Sequence, residues 1–425
     1  MAASILTNSS AMIALQTLRS TNKNLEAVNN QISTGKKVAT AKDSAAVFAI
    51  SKVMESDVAG FKAIQESLSL GGATATVGND AANQLNGLLN EIKAKVVSAN
   101  EDNVDRDALQ SELVSLRNQI SGVVGAAQFN GLNLLSNTDT TLAGAAVTTA
   151  NIVAGVGSVG TVNVLSSLDR SSTGSVTTSS IGVARQDLGT GAAAQGSGTD
   201  LAATAFTVSG AAAASGGTST LTVVGDTAAA RGANAVLAGD SYQLGGLTGV
   251  TGTVRYVARD GDTVSDIAAA LTSRINFFAA QDGIDITASV SGAAITLTNN
   301  TTAAVTATSS LNSAGTVGGG LELLSSLDIS TENGASAALG AIESLIQTTV
   351  DAQAAFGPSQ KRIDLQNEFM GKLVDSFKLG IGALVDADLE EASARLQALQ
   401  VQQQLGIQSL SIANQAPQNI LALFR

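Results

Sequence analysis

The chain has 425 residues and a formal net charge of −12, with 35 Asp and Glu against 23 Lys and Arg, a length that suggests about two to three domains. It contains no Cys, His or Trp, which removes disulfides, thiol nucleophiles, zinc–thiolate sites, imidazole bases and His-ligated metals. An acidic chain without a basic patch offers phosphates nothing to bind, so no nucleic acid is expected; carboxylate-pair chemistry and oxygen-ligated hard cations stay open.

The opening, MAASILTNSSAMIAL, has no basic n-region and its apolar residues are spaced, so no cleavable secretory signal is expected. No run approaches the roughly 18 consecutive apolar residues of a membrane span, so no membrane insertion is expected. Leu15, Leu18, Asn22, Leu25, Asn29 and Ile32 step by three and four along one helical seam. The two Asn on that seam are the kind of polar insertion that costs stability and selects register. Gly35 breaks the run, and Ala41-Lys42-Asp43-Ser44 offers an N-cap for a second helix over 45 to about 100. At 1.5 Å per residue that helix is on the order of 80 Å long. A third runs from about 106 to 127, with Leu109, Leu113, Leu116 and Ile120 on its inner face.

Residues 140 to 325 are different material, rich in Gly, Ala, Ser, Thr and Val. Between 141 and 320 there is no Lys, and the Arg are Arg170, Arg185, Arg231, Arg255, Arg259 and Arg274. Runs such as Leu221-Thr222-Val223-Val224, Val254-Arg255-Tyr256-Val257 and Ala294-Ile295-Thr296-Leu297-Thr298 read as strands, and 264–278 as a helix. Disorder competes with strand over 140–220, where aromatics are almost absent. Helix returns over 336–425, with one stripe at Leu339, Ile342, Leu345 and Ile346. A second stripe, at Leu389, Leu396, Leu399, Leu410 and Ala413, has coiled-coil spacing interrupted by Gln403. Pro358 and Pro417 read as local helix irregularities or N1 positions.

The expected fold is therefore α+β: long coiled-coil helical ends enclosing an inserted β-rich domain. A helix with a narrow apolar seam cannot bury it alone. Two such helices can pair and still leave apolar surface for other copies, and a head-to-tail contact that does not close builds a filament. A single intramolecular helical bundle is the competing reading of the same pattern.

Four strings then resemble one family. Ile32-Ser33-Thr34-Gly35-Lys36-Lys37-Val38-Ala39-Thr40-Ala41-Lys42-Asp43-Ser44-Ala45-Ala46 is similar to the bacterial flagellin pattern LSSG-x-R-I-x-S-A-x-D-D-A-A, departing at Thr34, Lys37 and Ser44. Gln128-Phe129-Asn130-Gly131-Leu132-Asn133-Leu134-Leu135 resembles QFNG-x-x-LL. Val385-Asp386-Ala387-Asp388-Leu389-Glu390-Glu391-Ala392-Ser393 resembles DAD-x-A-x-E-A/S, preceded by Gln360-Lys361-Arg362-Ile363. The ending Ile420-Leu421-Ala422-Leu423-Phe424-Arg425 resembles the family's apolar-plus-Arg terminus. The resemblance covers about 1–139 and 336–425.

It implies five segments: 1–44, a core helix and connecting spoke; 45–139, part of a helical bundle; 140–325, a variable surface domain; 326–380, the rest of the bundle; and 381–425, the second core helix. By the same implication the chain is no enzyme and carries no cofactor. It is a structural subunit of an extracellular filament for swimming motility, exported unfolded through the flagellar type III apparatus. Its partners would be other copies, an export chaperone, and cap and hook-junction proteins, with O-linked glycans on surface Ser and Thr. Leu15, Leu18, Leu25, Ile32, Leu389, Leu396, Leu399 and Leu410 are the expected self-assembly residues. Two alternatives stay open: a hook–filament junction protein, and a surface glycan-binding flagellin homologue.

Leu88-Leu89-Asn90-Glu91-Ile92-Lys93-Ala94 aligns with the stretch that Toll-like receptor 5 recognises in enteric flagellins, close to L-Q-R-V-R-E-L. Asn90 replaces its key Arg and Ala94 its last Leu, so weak or absent recognition is expected. Asp262-Thr263-Val264-Ser265-Asp266 and the strands after it resemble the small repeat inserted in flagellins and hook-associated proteins. Residues 256–265 also resemble the start of a glycan-binding LysM module. A Gly-Asp turn capping a helix explains the same string, and Asp260, Asp262 and Asp266 lack the spacing of a calcium loop. Glu390 and Glu391 diverge around their helix and form no acid–base pair.

Overall fold

A computed structural model describes residues 8–136, 161–170, 175–198, 206–209, 216–225, 236–259, 262–306 and 308–423. The chain forms two compact units, Met1–Glu66 with Asn367–Arg425, and Ser67–Gln366. The helices are α1 (Ser9–Thr34), α2 (Ala45–Ala99), α3 (Arg106–Ala126), α4 (Val264–Gln281), α5 (Glu332–Val385) and α6 (Leu389–Leu423). The three N-terminal helices and α4 lie close to their sequence expectations. Pro358 and Pro417 both fall inside helices, α5 and α6, rather than at a first turn.

In the first unit α1 starts at Asn8, whose side chain accepts from Ala11 N at 3.1 Å, and stops at Gly35 in the left-handed region (φ 69°). The expected cap of α2 is used differently. The Asp43 carboxylate turns back to accept from Ala39 N, Thr40 N and the Thr40 hydroxyl, which lowers its pKa and ties the turn before the helix. Phe61 and Phe377 meet edge to face at 5.3 Å, joining α2 to α5 within this unit.

The second unit has a helical part and a β-rich part. Leu85, Leu89 and Ile92 of α2, Leu113 and Ile120 of α3, and Phe356 of α5 are fully buried. Gln110 bridges to the chain before α5, donating to Leu327 O and accepting from Ile329 N. The string Gln128-Phe129-Asn130-Gly131 is a two-residue hairpin between β1 (Gln128–Phe129) and β2 (Leu132–Asn133). Asn130 and Gly131 sit at φ 51° and 79°, the left-handed pair such a turn requires.

The strands β3 (Thr161–Arg170) and β4 (Val176–Ala184) form an antiparallel ribbon, so strand prevails over disorder in that stretch; residues 137–160 lie outside those described. Val164 of β3 lies against Gly71 of α2, where any Cβ would run into both valine methyls. Gly71→Ala is expected to destabilise this unit by about 1 to 2 kcal/mol, because overpacking outweighs the roughly 1 kcal/mol by which Ala favours a helix. Urea unfolding of the monomer measures it; an unchanged or raised midpoint contradicts the packing argument.

Two further sheets follow. One has the order β5 (Phe206–Ser209), β6 (Thr218–Val223), β10 (Ala294–Asn299), β9 (Ile286–Ser291); the other has β11 (Thr308–Asn312), β7 (Ser241–Gly245), β8 (Val254–Val257). α4 opens with a capping box, Thr263 with Asp266, and its Ile267, Leu271 and Ile275 share one core with Leu221, Tyr242, Val254, Ile295 and Leu297. Asp262 accepts from Arg259 N and the Tyr256 hydroxyl. The aspartates first weighed as cation ligands are therefore committed to a turn and a cap; Asp260 lies outside the described residues. Tyr256 is buried and its phenol pKa is pushed up by that burial, so it presents no stacking platform to a sugar.

Candidate assembly surface

The seam residues of the two ends meet within the first unit. α1 and α6 run antiparallel in a fixed register. Asn8 Nδ2 donates to Ala413 O at 2.8 Å, and Leu18 lies over Gly406. Gln403 Nε2 donates to Asn22 Oδ1 at 2.8 Å, and Ala387 N donates to Gly35 O at 3.0 Å. Two interruptions read separately in the sequence, Asn22 and Gln403, are thus each other's partner. The pair is solvent-exposed, so it marks the register while the buried apolar residues below it supply the energy that holds it.

Below that pair Val28, Ala392 and Leu399 are buried, with Leu25, Ile32 and Leu396 packed against them. The DAD string shapes the start of α6. The backbones of Asp386 and Lys36 form an isolated antiparallel β-bridge, and the Asp388 carboxylate accepts from the backbone N of Glu390 and Glu391 at the helix N-terminus. Glu390 and Glu391 are therefore the acidic first turn of a capped helix.

Of the eight seam residues singled out from the sequence, Leu25, Ile32, Leu396 and Leu399 lie in the intramolecular seam. Leu18 and Leu410 are half-buried, while Leu15 and Leu389 are 38% and 53% exposed. The more exposed apolar residues are ones the seam pattern passes over: Met12 (67%), Ile13, Val401, Leu405, Ile407 and Ile412 (68%). They sit off the heptad seam. A second signal points to them, namely the absence of charge over 1–18 and 396–424. Between the helices a groove of about 780 Å³ is lined by Ile13, Ala14, Thr17, Leu405, Gly406 and Ile412, among others.

The family model of the bacterial flagellin N-terminal helical region matches residues 5–140, and that of the C-terminal helical region matches 339–424. Flagellin A of Rhizobium meliloti is 35% identical over 99% of this chain and 100% of its own length. The chain belongs to the bacterial flagellins. Flagellin B of the same organism is 34% identical over 99% of this flagellin and 100% of its own length. FliC from Burkholderia pseudomallei, a solved structure, is similar to it at 17% identity with a TM-score of 0.28, covering 69% of this flagellin and 99% of that chain. That score carries no argument.

As a flagellin the protein is a structural component of the flagellar filament and not an enzyme. Among the described residues no helix is long and apolar enough to cross a membrane. Asn90 and Ala94 both lie on the exposed face of α2, where Asn90 Nδ2 donates to Asn86 O and Oδ1 of its own helix.

Proposed function

We propose that this flagellin self-assembles into the helical filament through the paired terminal helices. The observation that supports this reading is a helix pair whose adjoining stretches, 9–18 and 396–423, carry no charge and leave Met12, Ile13, Leu405 and Ile412 in water. Exposed apolar side chains bordering a groove are costly in a monomer and gain by burial against other copies. The seam residues Leu25, Ile32, Leu396 and Leu399 build the surface, and Leu15, Leu389 and the off-seam residues contact neighbours.

The five-segment division belongs to the same proposal: 1–44 and 381–425 form the core, 45–139 with 326–380 the bundle, and 140–325 the outer domain. Export unfolded through the type III apparatus, with chaperone, cap and hook-junction partners, is consistent with a Cys-free chain that no cross-link can jam. Exposed Asn90 in place of an Arg fits weak recognition by Toll-like receptor 5.

The double variant Leu405→Asp, Ile412→Asp tests the central point. Both residues are exposed, so the monomer is expected to fold with its helix content intact. Seeded polymerisation is expected to fall at least a hundredfold, because each carboxylate has to be buried unpaired in the contact. Light scattering and electron microscopy follow it; filaments growing at the wild-type rate refute the assignment.

A further inference from the structure

Within the second unit α2 and α5 face each other in one antiparallel register. A Cβ on Gly78 of α2 would lie 3.3 Å from the ring of Phe356 in α5, and one on Gly72 would lie 3.5 Å from Ile363. Gln353 Nε2 donates to Ala82 O at 3.1 Å. These three contacts place Pro358 of α5 at the level of Thr76 and Val77 of α2.

Each helix is weak at this level. Over 70–78 α2 reads Leu-Gly-Gly-Ala-Thr-Ala-Thr-Val-Gly, in which Gly and the β-branched residues are poor helix formers. Thr74 and Thr76 donate back to Leu70 O and Gly72 O at 2.8 and 3.0 Å, a contact that loosens and bends helices. In α5, Pro358 removes the donor for Ala354 O, and Gly357 precedes it. Packing asks for neither residue. Gly357 and Pro358 are exposed, and a Cβ on Gly357 would meet nothing within 4 Å. Gly72 also has room for a methyl group, unlike Gly71, and neither Gly72 nor Gly357 has a positive φ.

Helix bends centre on Pro, on Gly-rich turns and where a side chain enters the backbone ladder. One such turn in a packed pair is splinted by its intact neighbour, and here both partners carry one. No charge lies on α2 between Glu66 and Asp80, so no ion pair ties it to α5 at this level, whereas Lys93 and Glu343 do so further along. We propose that α2 and α5 share a bending joint here, with Gly72 on one side and Gly357-Pro358 on the other. The buried side chains of Phe356 and Ile363 stay against α2 as its pivot. Because the two turns oppose each other, opening of either loosens both.

Hydrogen exchange on the full-chain monomer, read by mass spectrometry, tests the joint independently of assembly. Amides of 70–79 and 354–362 are expected to exchange at least tenfold faster than those of 82–96 and 341–352. The variant Gly357→Ala, Pro358→Ala restores the ladder of α5 alone. It is expected to slow both stretches tenfold or more, including the untouched one in α2. Gly87→Ala, at another open position of α2, is the control and is expected to leave 354–362 unchanged. Equal protection along both helices of the wild type overturns the proposal without any variant. So does an α5 variant that slows only its own stretch, since the two turns then open independently, or a control that slows both equally. Circular dichroism confirms that each protein keeps its helix content.

Discussion

Arg274→Met is expected to destabilise the β-rich part of the second unit by about 3–5 kcal/mol, the usual cost of leaving one partner of a buried ion pair alone. Arg274 and Glu322 meet at 2.5 Å with side chains 10% and 12% exposed. The second oxygen of Glu322 accepts from Ala193 N at 2.7 Å, and Arg274 also donates to Arg255 O. Arg255 in turn donates to Ala193 O, and Arg259 to Gly318 O. Three of the six arginines between 141 and 320 therefore collect where the chain leaves β4 and where it returns to α5. There Gly319 and Gly320 let the two strands of chain approach so closely that a Cβ on either would strike the opposite backbone.

The neighbouring pair, Arg259 with Asp187, is the weaker one. At 3.3 Å its buried Nε and Oδ2 lack hydrogen-bond geometry, and burial pushes the Asp187 carboxyl up despite the arginine. A carboxyl whose folded value is raised stabilises the fold below its unfolded value, and that contribution is lost as pH rises through the folded value. Asp187 therefore does not drive acid unfolding, and Arg274–Glu322 is the pair to break. The readout is unusually clean. The only two tyrosines, Tyr242 and Tyr256, both lie in this part, and there is no Trp. Tyrosine fluorescence in urea reports its unfolding directly. Arg274→Met combined with Glu322→Leu is expected to recover much of the loss, since no lone charge then remains buried; a single variant within 1 kcal/mol of wild type contradicts the account.

The second large effect is expected from Leu399→Asp. Leu399 is 6% exposed between Val28 and Leu25, so a carboxylate there is buried without a cation. A loss of several kcal/mol exceeds what one helix pair can absorb, and α1 and α6 are expected to separate. Polymerisation then fails for a different reason than in the Leu405→Asp, Ile412→Asp protein. Here helix content by circular dichroism falls as well, whereas the tyrosine signal of the second unit persists. A Leu399→Asp monomer with full helix content contradicts the seam assignment.

The helical ends were legible because one period governs each of them. Leu18, Leu25, Ile32, Leu396 and Leu399 repeat with the spacing of a paired helix, and the pairing follows. What the period does not encode is partner identity. Asn22 and Gln403 read as two separate blemishes, and only the antiparallel register makes them one contact. Exposure of Ile13, Leu405 and Ile412 was hidden for the same reason, since an apolar residue off the seam looks like noise until its groove is formed. In the middle, strands around Val254 and Ile295 were readable from local β-propensity. The ribbon of β3 and β4 was not, because its Ser-rich sequence becomes stable only against Gly71 and the surrounding helices.

The antiparallel pairing of α1 with α6 joins residues nearly 400 positions apart, as in the Asn22–Gln403 bond with its separation of 381. Until α6 has been made, α1 is a 26-residue helix with an unburied apolar seam. The pairing of these two helices is therefore a late, long-range closure, made only after the whole of the second unit between them has been synthesised.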